Sequence, residues 1–238
     1  MIKSQTAHDY YNIHKEKIEE WLDLALYKPE RNVHDTIPNK VDYNNSRSFR
    51  KFCLLRHQLR LLKLVDLSNS KKVLDIGAGY GDFLILADSF NFEKIDATEP
   101  SIYQYKFITE KFNYYNNVYN LPLEEIDMSE YDTIILSGIW VPNWVEAIKK
   151  YILPNENLKN VVITTTLLHS EKHLFLDADN IEPAPWRYCF EGDRKLLSIK
   201  MMNLIFKNKS FHLKNSFSRK NDIENHMTSK FYLHYQRD

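Results

Sequence analysis

Three of the five glycines in this 238-residue chain fall at positions 77, 79 and 81, in Asp75-Ile76-Gly77-Ala78-Gly79-Tyr80-Gly81. Glycine lets a backbone turn sharply and approach a ligand closely. The loop stands between a short apolar run and an amphipathic stretch beginning at Asp82. The start of a helix there would add unpaired N–H groups and a partial positive charge. Alone, such a loop suits NAD, FAD, a nucleotide or S-adenosylmethionine. Two acids narrow the choice. Asp75 sits two residues before Gly77, and a carboxylate so close would repel a pyrophosphate but suits a cationic ammonium. The dinucleotide pattern G-x-G-x-x-G also places its third glycine one residue later. Glu99 lies eighteen residues beyond Gly81, at the end of a second apolar run. An acid there can accept hydrogen bonds from a ribose diol, because an ionised Glu is acceptor-only and both hydroxyls donate.

The elements that must position these groups follow from periodicity. Residues 73–76, 95–98, 118–120, 133–136 and 161–166 read as strands, and 82–89, 101–112 and 144–151 as helices between them. That alternation implies a parallel sheet covered on both faces. Residues 1–70 read as a separate helical N-terminal cap, with 71–238 as the main α/β domain. In the cap, one helix spans residues 6–26. A loop rich in Pro and Asn follows at 28–45, and a second helix, capped by Ser46, runs to about residue 67. The apolar face of that second helix is expected at Phe52, Leu55, Leu59 and Leu62. Near the C-terminus a helix around 194–206 precedes two strand-like runs, 211–217 and 230–235, which form a late antiparallel pair.

The stretch from Val73 to Asp82, with its Asp-x-Gly-x-Gly-x-Gly core, resembles motif I of the class I S-adenosylmethionine-dependent methyltransferases. Glu99 matches that family's ribose-binding acid. Tyr131-Asp132-Thr133-Ile134-Ile135-Leu136-Ser137-Gly138 resembles its fourth strand, and the C-terminal hairpin resembles its last two. The resemblance covers about residues 70–238. It implies a Rossmann-like, seven-stranded, mostly parallel sheet with the last strand inserted antiparallel, and S-adenosylmethionine as cofactor. On that footing Asp75 serves the methionine end. The backbone of Gly77, Ala78, Gly79, Tyr80 and Gly81 cradles the cofactor, Glu99 takes the ribose, and Pro100 is a further cofactor contact. Asn120 and Leu121 border the adenine, and Ser137 joins the cofactor contacts. The chain departs from the family in lacking an acid just after the third strand. A shorter, less specific likeness, carried by the glycine loop and Gln104-Tyr105, is to sugar O-methyltransferases of bacterial polysaccharide clusters.

The acceptor end is less defined. Methyl transfer from a sulfonium is an in-line displacement, so positioning supplies much of the catalysis. A base is needed only where the acceptor must lose a proton. His169 and His173, after the fifth strand, are the expected bases, His169 first. Trp140 and Trp144 either form an aromatic wall for substrate or pack the next helix. Tyr11 and His14 of the N-terminal helices are expected lid residues, with interface or simple packing as the alternative. Asp177-Ala178-Asp179-Asn180 resembles part of a metal site, but Ser137 and Gly138 stand where another ligand would have to be an acid. No metal is therefore expected. The loop after the fourth strand lacks the Asn/Asp-Pro-Pro-Tyr/Phe sequence of methyltransferases acting on DNA bases.

Composition sets outer limits. The chain is 43% hydrophobic and 27% charged, with 32 basic and 32 acidic residues, so no global field draws it to nucleic acid or membrane. Two cysteines fit neither a disulfide framework nor a zinc site. The absence of an apolar leader or span leads to the expectation of a cytoplasmic protein. The basic run Arg47, Arg50, Lys51, Arg56, Arg60 and Lys63 contains no acid and suits either a solvated face or an anionic acceptor. The expectation is methyl transfer to a hydroxyl of a small acceptor, such as a sugar, nucleotide-sugar or phosphorylated metabolite. The alternatives are an RNA or protein methyltransferase, a non-catalytic partner subunit of the same fold, and an NAD-binding oxidoreductase. Oligomeric state is left open.

Overall fold

A computed structural model describes residues 6–26, 47–87, 89–111, 115–137, 144–168, 175–177, 190–191, 195–220 and 228–237. Seven strands form one sheet: β1 (Lys72–Ile76), β2 (Lys94–Thr98), β3 (Asn117–Tyr119), β4 (Thr133–Ser137), β5 (Asn160–Leu168), β9 (Phe211–Lys220) and β10 (Thr228–Arg237). Their order is β3-β2-β1-β4-β5-β10-β9. The first five are parallel, and β10 runs antiparallel to both β5 and β9. The expected architecture, including the inserted last strand, is thus observed. The central strands are apolar on both faces because both are covered. Among the residues of β1 only Lys72 is exposed.

The two faces define two cores. On one, α1 (Ala7–Ile13), α2 (Lys15–Leu26), α3 (Arg47–Leu64), α4 (Asp82–Ala87) and α5 (Ile102–Lys111) pack over Val73, Ala97, Ile135 and Val162. On the other, α6 (Trp144–Ala147) with the wider π turn Ile148–Ile152, and α7 (Ile199–Lys207), cover Leu74, Ile134, Leu136 and Ile163. The N-terminal helices therefore share one apolar core with the sheet. No described helix is long and apolar enough to cross a membrane.

Four details differ from the sequence reading. The first helix is broken at His14 into α1 and α2, and α1 starts with a reciprocal capping box between Thr6 and Asp9. Of the expected stripe on α3, Leu62 is buried and Leu55 and Leu59 pack against the core, but Phe52 is 57% exposed and the buried side centres on Leu54, Gln58 and Leu61. The expected stripe missed this because Gln58 counts as polar, yet it is buried with its amide satisfied. Tyr10 Oη donates to Gln58 Oε1 at 2.9 Å, and Gln58 Nε2 donates to the Asp82 carbonyl. A small second sheet of β6 (Phe175–Asp177), β7 (Phe190–Glu191) and β8 (Lys195–Leu197), in the order β6-β8-β7, was not foreseen. Its β8 occupies residues expected to be helical, because Leu196 and Leu197 run on into the apolar pattern of α7. The helix starts only at Ser198, whose hydroxyl accepts the Met201 N–H at 3.2 Å.

The Tyr10–Gln58–Asp82 chain ties α1 and α3 to the start of α4, next to the glycine loop. Tyr10→Phe would leave the buried Gln58 oxygen without that donor. It is expected to cost roughly 1–3 kcal/mol, read as a lower urea midpoint with an unchanged denaturant slope. A midpoint equal to that of the parent protein would show that the bond contributes nothing to stability.

Candidate cofactor site

The sheet order reverses between β1 and β4, and in open α/β sheets ligands bind in the crevice beyond the carboxyl ends of strands at such a point. The glycine loop follows β1, and Ser137 ends β4, so the two flank that crevice. Gly77, Gly79 and Gly81 have φ of 68°, 60° and 79°, in the left-handed region that side chains disfavour. This accounts for the clustering of glycine.

The loop is stitched to the end of β2. Gly77 and Ala78 N–H donate to the Thr98 carbonyl at 2.9 and 3.0 Å, and Gly81 N–H closes onto Ala78 at 2.8 Å. Gly79 N–H donates to Glu99 Oε2 at 2.7 Å, and Ser101 N–H to Glu99 Oε1 at 2.8 Å. Four of the five loop N–H groups are thereby used internally, and α4 is only six residues long. The loop thus offers a ligand closeness and shape rather than the row of free donors the sequence suggested. Glu99 is 4% exposed. Burial raises its pKa, against the two N–H bonds that lower it. Each carboxylate oxygen still has acceptor capacity, as a diol requires.

Asp75 is 1% exposed and accepts a 2.6 Å hydrogen bond from Tyr115 Oη. Burial pushes its pKa up to about 7, and the charges of Asp82 and Glu99 push the same way. Among the described residues neither Asp75 nor Glu99 has a cationic partner. The site therefore concentrates negative charge that a cation would relieve.

The other expected contacts are placed as follows. Asn120, expected at the adenine, uses its amide on the backbone after β2. It donates to the Glu99 and Pro100 carbonyls at 2.8 and 3.1 Å, and so holds the turn after β2. Leu121 is 45% exposed beside it. The Tyr80 ring meets Phe107 edge-on, while its carbonyl accepts from Trp21 Nε1 at 3.2 Å, so α2 leans on the loop. Tyr11 bonds to Glu19 and lies under Lys51, whose Nζ is 3.4 Å from its ring centre. His14 is buried against Tyr10 and Ser89, at the end of α4 away from the loop. Trp140, His169 and His173 lie outside the described residues. Trp144 opens α6, but its side chain is also outside them. No grouping of His, Cys, Asp or Glu among the described residues could hold a metal ion.

Sequence reasoning missed Tyr115, Gln58 and His57. His57 lay hidden inside the basic run of α3. Its Nε2 is 3.1 Å from Ser137 Oγ, and its Nδ1 is 3.2 Å from Tyr232 Oη. No sequence signal pointed to it, because its partners are 80 and 175 residues away.

No protein-family model and no curated protein matches the sequence. Solved structures do match the fold. Residues 942–1257 of the StiE O-methyltransferase align at a TM-score of 0.57 and 14% identity, over 93% of this chain and 90% of that one. The magnesium protoporphyrin IX methyltransferase ChlM of Synechocystis PCC 6803, solved with bound S-adenosylmethionine, aligns at 0.53 and 14%, over 97% and 94%. The N-terminal domain of EvdMO1, solved with S-adenosylhomocysteine and D-fucose, aligns at 0.51 and 15%, over 71% and 77%. This chain has the fold of the class I S-adenosylmethionine-dependent methyltransferases.

The Asp75 carboxyl makes stability pH-dependent in a stated direction. Its folded pKa lies above the ordinary 3.8, so its contribution is complete below that pH and is lost as pH rises through about 7. Asp75→Asn is expected to remove this loss and exceed the parent protein's stability by roughly 4 kcal/mol above neutrality, measured by urea unfolding across pH. Glu99 is present in both proteins. Parallel pH profiles would show that the Asp75 carboxyl is not held up as described.

Proposed function

We propose that this chain is an S-adenosylmethionine-dependent methyltransferase acting on a hydroxyl of a small acceptor, such as a sugar, nucleotide-sugar or phosphorylated metabolite. The observation that carries the cofactor is the charge at the crevice. Asp75 and Glu99 are buried beside the glycine loop with no cationic partner among the described residues, which disfavours a pyrophosphate and favours a ligand bearing ammonium and sulfonium charges. The residues fit the group. Glu99 would take the ribose hydroxyls, the glycine loop would allow close approach, and Asp75 would act at the methionine end. The cofactor supplies an electrophilic methyl when bound. The protein's part is to hold donor and acceptor in line and to shield them from water.

The acceptor class is supported by an O-methyltransferase among the structural neighbours, and by a second neighbour solved with S-adenosylhomocysteine and a sugar present. Trp140 and Trp144, around the end of β4, and His169 and His173, after β5, are kept at the acceptor end because strand carboxyl ends carry substrate groups in such sheets. The N-terminal helices would cover the site from the α2 side, where Trp21 already touches Tyr80.

Calorimetric titration with S-adenosylhomocysteine, with NAD as control, tests the reading. Binding of the former alone, at about micromolar affinity or roughly −8 kcal/mol, is expected. Glu99→Ala should weaken it by about 1–3 kcal/mol through the lost charged hydrogen bonds. Binding of NAD instead, or unchanged affinity in the variant, would overturn the cofactor or the ribose assignment respectively.

A further inference from the structure

Four polar side chains from four elements meet at the carboxyl end of β4. Ser137 of β4 pairs in register with Thr164 of β5, which pairs in register with Tyr232 of β10. The three therefore form one row on one face, two residues beyond the Asp75–Ile135 pair of β1 and β4 and so at the level of Gly77. Ser137 Oγ is 3.3 Å from Thr164 Oγ1. Into this row α3 delivers His57, with Nε2 at 3.1 Å from Ser137 and Nδ1 at 3.2 Å from Tyr232. The phenol is 2% exposed, whereas His57 and Ser137 are only partly buried. The Arg60 guanidinium, one turn further along α3, lies 5.8 Å from the Tyr232 ring centre and 5.1 Å from that of Phe217.

A general base requires one ring nitrogen held by a buried partner; Tyr232 holds the Nδ1 side, and Nε2 meets the Ser137 hydroxyl, whose place the acceptor hydroxyl would take. We propose that His57 is the proton acceptor for the hydroxyl that is methylated, with Tyr232 as the positioning residue that holds its Nδ1 side. The inference rests on the methyltransferase reading above. As the acceptor O–H bond breaks, its proton passes to Nε2. The oxygen lone pair forms the new bond to the methyl carbon, and the carbon–sulfur electron pair stays on sulfur, turning a sulfonium into a thioether. His57 then returns its proton to solvent. The role requires that Nδ1 carry the proton in the resting protein, donated to Tyr232 Oη, and that Nε2 be bare.

Histidine-selective 15N NMR on the unmutated protein, saturated with S-adenosylhomocysteine, reads this tautomer directly. The His57 signals are assigned by their loss in His57→Gln. A bare Nε2 and a protonated Nδ1 are expected. Tyr232→Phe should convert that single tautomer into a mixture without changing S-adenosylhomocysteine affinity. A proton fixed on Nε2 in the unmutated protein overturns the proposal.

In a second arm, label is followed from methyl-labelled S-adenosylmethionine into a protein-free pool of cell metabolites. His57→Ala should transfer about 10²–10⁴-fold more slowly and be partly restored by added imidazole, which a packing role would not allow. Parental transfer by the variant also overturns the proposal. Failure of S-adenosylhomocysteine to bind the unmutated protein would instead defeat the cofactor reading, and the tautomer would remain measurable without ligand.

Discussion

A carboxylate almost out of water must be held by donors, and Glu99 is held by the backbone N–H groups of Gly79 and Ser101. That pair of bonds fixes more than one side chain. It pins the middle of the glycine loop to the end of β2, while Thr98 pins its start. Asn120 then locks the chain after Glu99 from the β3 side. The left-handed glycines are needed because the loop must fold back far enough for Gly79 to reach that carboxylate. The ends of β1, β2 and β3 are thereby set relative to one another before any ligand arrives, which is the preorganisation a positioning enzyme depends on.

The same closeness concentrates charge. Asp75 and Glu99 are both buried and both carry raised pKa values, with Asp82 adding to the field at Asp75. Part of this opposition is offset locally: Tyr115 donates to Asp75 and lowers its pKa against the effect of burial. The remainder is a standing preference for a positive ligand. A purely structural core has no reason to keep two such acids beside a loop with so little side-chain bulk, since a buried acid without a cation is costly. The N-terminal helices hold this arrangement closed, through Trp21 on the Tyr80 carbonyl and through the chain from Tyr10 by way of Gln58 to Asp82.

The features legible in the sequence were those written in consecutive residues. The glycine turn after β1 and the strand–helix alternation stand where the sequence places them, because a loop and the strand it follows are local in the chain. Long-range satisfaction of polar groups was not legible. Gln58 looks like a solvent-facing residue until Tyr10 is found above it, and Phe52 looks like core until α3 turns it outward. Tyr115 carries no local mark of its bond to Asp75, forty residues earlier. The strand β8 was absorbed into a helix because two leucines serve either period until a capping serine is recognised.

The polar row at the carboxyl end of β4 depends on topology rather than motif. Ser137, Thr164 and Tyr232 line up only because β10 enters the sheet antiparallel beside β5 in one register. A slip of one residue would turn Tyr232 to the opposite face and put Phe231 or Leu233 in its place, and His57 would lose the hydroxyl at its Nδ1. The register is secured elsewhere. Phe231, Leu233 and Tyr235 fill the opposite core, where Tyr235 stacks on Phe206 at 3.9 Å, and the buried His234 meets Asn160 at 3.0 Å. Burial holds the His234 imidazole down to about 4, so it stays neutral near neutral pH and costs the strand no buried charge. The C-terminal hairpin therefore does more than close the sheet edge: by fixing where Tyr232 stands, it determines which chemical groups the helix before β1 can address.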